Sequence, residues 1–135
     1  DARRLADLQV MQSYLELYYT RSGVYPPVTV GVTQWADVDC ITNSLCAAMK
    51  NADIGINSIP NDPLPGLQYM YCVSNASFSG GEGQSYILGA KLATNAHSVL
   101  DEPFDIDTIP AEYSCTSPNI SCANSPPANG LCVQI

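Results

Sequence analysis

Residues 2–23 read ARRLADLQVMQSYLELYYTRSG, and this stretch decides the fold. It holds no Gly or Pro before Gly23, and it is rich in Ala, Leu, Arg, Gln and Met, all good helix formers. Leu5, Leu8, Met11, Leu15 and Tyr18 recur at three- and four-residue steps, the spacing of one apolar helix face. Gln9, Gln12, Ser13 and Glu16 lie off that face. Arg3 and Asp7 stand four apart, close enough for a weak surface pair. The spacing predicts a helix over residues 2–21. Ser22-Gly23 stops it, and Pro26-Pro27 cannot continue it. At ~1.5 Å per residue such a helix is a rod of about 30 Å. No N-cap precedes Asp1, so the helix is expected to continue upstream and the chain to be a processed or truncated product.

Past the helix the pattern changes. Residues 23–66 form a connecting region. Val28 to Val32 reads as a short extended piece. Asp39 to Lys50 reads as a short helix, capped by Asp39 or Thr42, with Ile41, Leu45, Cys46 and Met49 facing inward. Residues 59–66, IPNDPLPG, are a rigid turn. A β-hairpin follows over residues 67–92. Leu67, Tyr69, Tyr71 and Val73 alternate with Gln68, Met70, Cys72 and Ser74; Tyr86, Leu88, Ala90 and Leu92 alternate with Ser85, Ile87, Gly89 and Lys91. Ser79-Gly80-Gly81-Glu82-Gly83 supplies the loop between them. Residues 93–135 are an acidic loop and a Cys-rich C-terminal region. Residues 111–130 read as a loop pinned by disulfides, and Leu131 to Ile135 as a last strand. The fold class is therefore α+β, one domain over residues 1–135, with a long N-terminal helix (1–22) packed on an antiparallel sheet of three to four strands.

Composition narrows the function. The chain has 135 residues, 46% of them hydrophobic, which excludes disorder. Charged residues are only 13%, and the net charge is −8, so a nucleic-acid partner is not expected. The acid lies mostly past residue 50, and no Lys or Arg follows Lys91. The result is a near-neutral helical segment followed by an acidic body. No run of 18 apolar residues and no signal-peptide pattern occurs in the sequence.

Six cysteines with one His and no CxxC pair favour three disulfides in an oxidising compartment over a zinc site or a thioredoxin-like motif. Six cysteines allow fifteen pairings, and the sequence does not choose among them. The working assignment is Cys40–Cys46, Cys115–Cys122 and Cys72–Cys132. His97-Ser98 near Asp101 invites a catalytic-triad reading, but sequence neighbours seldom supply the oriented geometry a triad needs, and no other constellation supports an enzyme. Asp101, Glu102, Asp105 and Asp107 form the densest acid cluster. Asp101, Asp105 and Asp107 are candidate calcium ligands, but the spacing is not that of an EF-hand and a solvated loop is the preferred reading, so no cofactor is assigned. The Gly80–Gly83 run lacks the Lys-Ser/Thr of a phosphate loop. Asn75-Ala76-Ser77 and Asn119-Ile120-Ser121 match the glycan acceptor pattern. Eight Tyr against two Phe and one Trp point to a helix–sheet interface with phenol groups at its wet edge.

Three stretches together resemble type IV pilins and type II secretion pseudopilins. DARRLADLQVMQSYLELYYTRSGVYPP is similar to the C-terminal half of that family's long N-terminal helix, with Gly23-Val24-Tyr25-Pro26 matching its Gly-x-Tyr-Pro end. IPNDPLPGLQYMY resembles its Pro-x-Asp-Pro turn and first sheet strand, and GQSYILGAKL its second strand. The family's apolar N-terminal half-helix and early Glu have no counterpart in this sequence. The resemblance implies a pilus filament subunit, a homopolymer of identical or related pilins handled by a pilus assembly machinery. It also implies a precursor held in the inner membrane only through the missing half-helix, and an extracellular location in the filament. Leu5, Leu8, Met11, Leu15, Tyr18, Tyr86 and Leu88 would then form the helix–sheet core. Arg3, Arg4, Gln9 and Glu16 would meet neighbouring subunits. The alternatives are a type II secretion pseudopilin, which calcium at the acidic loop would favour, and a secreted or pilus-tip adhesin that binds through residues 115–132.

Overall fold

The computed structural model describes residues 2–28, 35, 44–64, 67–93, 105–116, 120–123 and 129–134. Among these the chain is a mixed α+β structure. Helix α1 (Ala2–Ser22) and helix α2 (Leu45–Asn51) precede strands β1 (Met70–Ser74), β2 (Tyr86–Lys91), β3 (Tyr113–Cys115) and β4 (Gly130–Gln134). The four strands form one sheet in the order β3-β1-β2-β4, antiparallel throughout.

Helix α1 runs unbroken because its interior holds no breaker. It ends at Gly23, whose φ of +77° is costly for any residue with a Cβ, and the Gly23 N–H bonds the Tyr19 carbonyl at 2.7 Å. Leu8, Met11 and Leu15 are buried on its inner face, and Leu5 and Tyr18 are partly buried against the same cluster. Tyr86 and Leu88 of β2 lie in that cluster too, with Tyr71 and Val73 of β1 and Leu131 and Val133 of β4. Burying a Met or Leu side chain is worth roughly 1.5–3 kcal/mol, so this face fastens α1 to the sheet.

The sheet is buried on both sides. Met70, Cys72, Ile87 and Cys132 point away from α1 into a second, smaller cluster with Tyr113 and Cys122. Phe78, Ile106, Ile109 and Ile120 pack over it. A sheet covered twice needs apolar residues on both faces, which accounts for the five buried positions of β1.

The structure corrects several sequence expectations. Two of the three working disulfides are exchanged: Cys72 bonds Cys115, and Cys122 bonds Cys132. Cys115–Cys122 and Cys72–Cys132 are therefore wrong. The reason is β3, which lies inside the segment read as a loop. It pairs with β1 and sets Cys115 directly opposite Cys72. Cys122 instead faces Cys132 of β4. Cys46 is also disulfide-bonded, and its assigned partner, Cys40, lies outside the described residues. Helix α2 begins later than expected. Its cap is Ser44, whose Oγ accepts the Ala47 N–H at 3.0 Å, not Asp39 or Thr42. Leu45, Cys46 and Met49 are buried as expected, while Ile41 and the stretch from 29 to 32 lie outside the described residues. Ser44→Ala should cost about 1 kcal/mol and Ser44→Gly a few tenths, read by denaturant unfolding.

The tyrosines are drier than expected. Tyr71 is fully buried and its hydroxyl donates to the Pro26 carbonyl at 2.7 Å. Tyr25 packs tilted against Tyr19 and edge to face against Tyr86, with ring centroids 4.7 Å apart in each pair. Burial pushes the Tyr71 and Tyr86 hydroxyls well above their ordinary range, so both remain neutral.

Candidate functional site

The outward face of α1 carries two of the four exposed large apolar side chains among the described residues. Ala6, Val10, Ser13, Leu17 and Thr20 follow a four-three-four-three step and are all exposed. Val10 is 41% and Leu17 51% exposed. The two hydroxyls in this row turn back onto the helix. Ser13 donates to the Gln9 carbonyl at 3.4 Å and Thr20 to the Glu16 carbonyl at 2.9 Å. The row is thus an uncharged stripe of small and apolar groups along a chain of net charge −8. Sequence reasoning missed it by assigning every outward contact to polar residues. The signal was present in Val10 and Leu17, seven apart and off the inner face.

The four candidate contact residues have different fates. Gln9 is exposed. Arg3 is exposed and lies 3.6 Å from Asp7, a long surface pair of little energetic weight. Glu16 is exposed at its backbone turn, but its carboxylate accepts the Tyr25 hydroxyl at 2.9 Å. Arg4 is a correction. It is only 4% exposed and cannot present itself to a neighbour. Its Nε and Nη2 donate to the two carboxylate oxygens of Asp62 at 2.9 and 3.1 Å. The turn at 59–64 curls back over the first turn of α1, which the linear sequence does not reveal.

This fork anchors a wider polar cluster. Asp62 Oδ1 also accepts the Leu64 N–H at 2.9 Å. Next to it, Tyr69 donates to Asp7 at 2.7 Å, and burial with that bond raises the Tyr69 hydroxyl above its usual range. Trp35, fully buried, meets Tyr69 edge to face and donates from its indole to the Pro60 carbonyl at 2.9 Å. The start of α1 is therefore held by specific polar bonds and its middle by apolar packing.

The acidic-loop candidates do not converge among the described residues. Asp105 Oδ1 accepts the Cys132 N–H at 3.1 Å, and Asp105 bridges to Val133, so this carboxylate serves the edge of β4. Asp107 is exposed. Asp101, Glu102, His97 and Ser98 lie outside the described residues, as does Asn119. Asn75 is half-buried at the start of a turn, its Oδ1 accepting the Ser77 N–H at 2.9 Å.

In comparison with known proteins, no family model matches the chain, and no curated protein or solved structure matches it. The two disulfides indicate an oxidising, extracellular-type compartment. No helix among the described residues is long and apolar enough to cross a membrane.

Proposed function

We propose that this chain is a structural subunit of an extracellular type IV pilus, acting by polymerisation and not by catalysis. One observation carries the reading: α1 buries one face on the sheet and leaves an uncharged stripe, Val10 and Leu17 above all, along the other. A row with no charge and two exposed aliphatic side chains is a surface that another subunit can cover at little desolvation cost. In a pilus the covering surface is the helix bundle of neighbouring subunits. The pilin-like resemblance of residues 1–27, 59–71 and 83–92 adds to this, because those segments make α1, the turn clamped to it and the two central strands. The acidic, disulfide-linked body suits the outer wall of a fibre, where like charge favours solubility.

Substitution in the full-length precursor, expressed in its own cells, tests the reading. Val10→Lys combined with Leu17→Lys should leave the folded body and its melting temperature nearly unchanged, since both residues are exposed. It should abolish filaments seen by electron microscopy with an antibody against the body. Abundant labelled filaments from the double variant, or wild-type label confined to the cell envelope with no fibres, would overturn it.

A further inference from the structure

The two ends of α1 carry different surfaces. At the N-terminal end, the clamped turn exposes two leucines. The Leu67 N–H bonds the Leu64 carbonyl at 3.3 Å, and Leu64 is 54% and Leu67 37% exposed. Arg3 stands on the first turn of α1 at the same end, its side chain 63% exposed. Arg4, next to it in sequence, is tied to Asp62 two residues before Leu64, which holds the leucine turn at this end of the helix.

At the C-terminal end, just past Ser22, a cleft of about 200 Å³ opens between the chain leaving α1 and the edge of the sheet. Val24, Pro27, Val28 and Val73 line it with apolar surface, and Asn75 and Ser114 add polar groups. Glu82 also lines it, is exposed, and has no hydrogen-bond or ion-pair partner among the described residues. About 20 helical residues, or ~30 Å, separate this cleft from Arg3.

We infer that copies of this chain meet end to end, with the Leu64 turn of one seated in the cleft of the next and Arg3 of the first facing Glu82 of the second. The occupant is a second copy because the pieces match in kind. A leucine side chain fits within the cleft volume. The lone carboxylate at the cleft meets a cation from a chain that has only five Lys and Arg residues in total. Patch and cleft are separate surfaces, so the contact is heterologous. Repeated head to tail, it leaves one patch and one cleft free at the ends and propagates into a row. The inference rests on the filament reading and names a contact between subunit bodies within it.

The test places a photo-crosslinking benzoylphenylalanine at position 64 of the full-length protein. Cross-linked peptides from assembled filaments are then mapped by mass spectrometry. A dilution series of amide NMR spectra on the chain itself runs in parallel. The contact predicts cross-links into residues 24–28 or 73–75 of another copy, and concentration-dependent shifts confined to both ends of α1. Leu64→Ala should weaken self-association about tenfold. Arg3→Glu and Glu82→Arg should each weaken it by about two- to fivefold and restore it when combined. All three residues are exposed, and unchanged melting curves confirm folding. Filaments whose cross-links fall elsewhere overturn the contact and leave the filament reading intact. End-specific shifts without filaments overturn the filament reading and support the contact. Neither filaments nor shifts overturn both.

Discussion

Arg4→Ala should lower stability by about 3–5 kcal/mol, the usual cost of removing one half of a buried ion pair. The Arg4 and Asp62 side chains are 5% and 1% exposed, so solvent screens them little. Deleting the guanidinium leaves the Asp62 carboxylate buried, with the Leu64 N–H as its remaining hydrogen-bond donor among the described residues. Arg4→Lys should recover only part of the loss, because an ammonium cannot make the two parallel bonds of the fork. The pair also predicts a pH dependence. Burial pushes the Asp62 carboxyl up, but the Arg4 and Leu64 hydrogen bonds and the Arg4 charge outweigh it and hold the group below its ordinary value. A lowered folded-state pKa adds stability that is complete above the unfolded carboxylate value, about 4, and is lost as pH falls through the folded value. Denaturant unfolding from about pH 7 to pH 2 should show wild type losing this contribution in acid. Asp62→Asn should start less stable and lose less on acidification. Equal acid losses in the two proteins would show that the pair does not contribute this way.

Gly130→Ala should be nearly as damaging, at about 3 kcal/mol or more, the upper end of what overpacking costs. Residues 121–123 cross the start of β4 here, and the Gly130 N–H donates to the Ala123 carbonyl at 2.8 Å. A Cβ on Gly130 would collide with the Ser121 carbonyl oxygen and lie 2.9 Å from its carbon and 3.0 Å from the Cys122 Cα. These are backbone atoms, and the Cys122–Cys132 disulfide fastens the same crossing, so they have little room to retreat. For a chain of this size the melting temperature should fall on the order of 10 °C. A melting temperature within a degree or two of wild type would mean that residues 121–123 shift without losing their contacts.

The low charge content has a structural cause: the second apolar cluster hides a sheet face that would otherwise face water. Met70, Cys72 and Ile87 sit at positions that in a one-sided sheet would be polar. The alternation in the hairpin was readable, but the cover over its second face comes from residues near 106–122, far along the chain.

Local features were legible for a physical reason: their determinants are near neighbours. The helix of α1, its stop at Gly23, and strands β1 and β2 follow from side-chain spacing and from breakers within a few residues. The inner-face residues Leu8, Met11 and Leu15 were readable on the same ground. Strand β3 was not. Tyr113-Ser114-Cys115 is too short to show a period, and its ladder exists only because β1 lies beside it. The family resemblance likewise suggested that Arg4 was an outward contact, and only the returning turn carrying Asp62 makes it a buried one.

The sequence by itself determined a long amphipathic helix, an antiparallel hairpin, an acidic body and cysteines suited to an oxidising compartment. Each depends on composition or on residues close together in the chain. The tertiary structure alone decided which cysteines meet, which arginine is buried, that the sheet is covered on both faces, and that the outer stripe of α1 stays bare. Each of these depends on which distant segments come together, and short-range patterning carries no information about that.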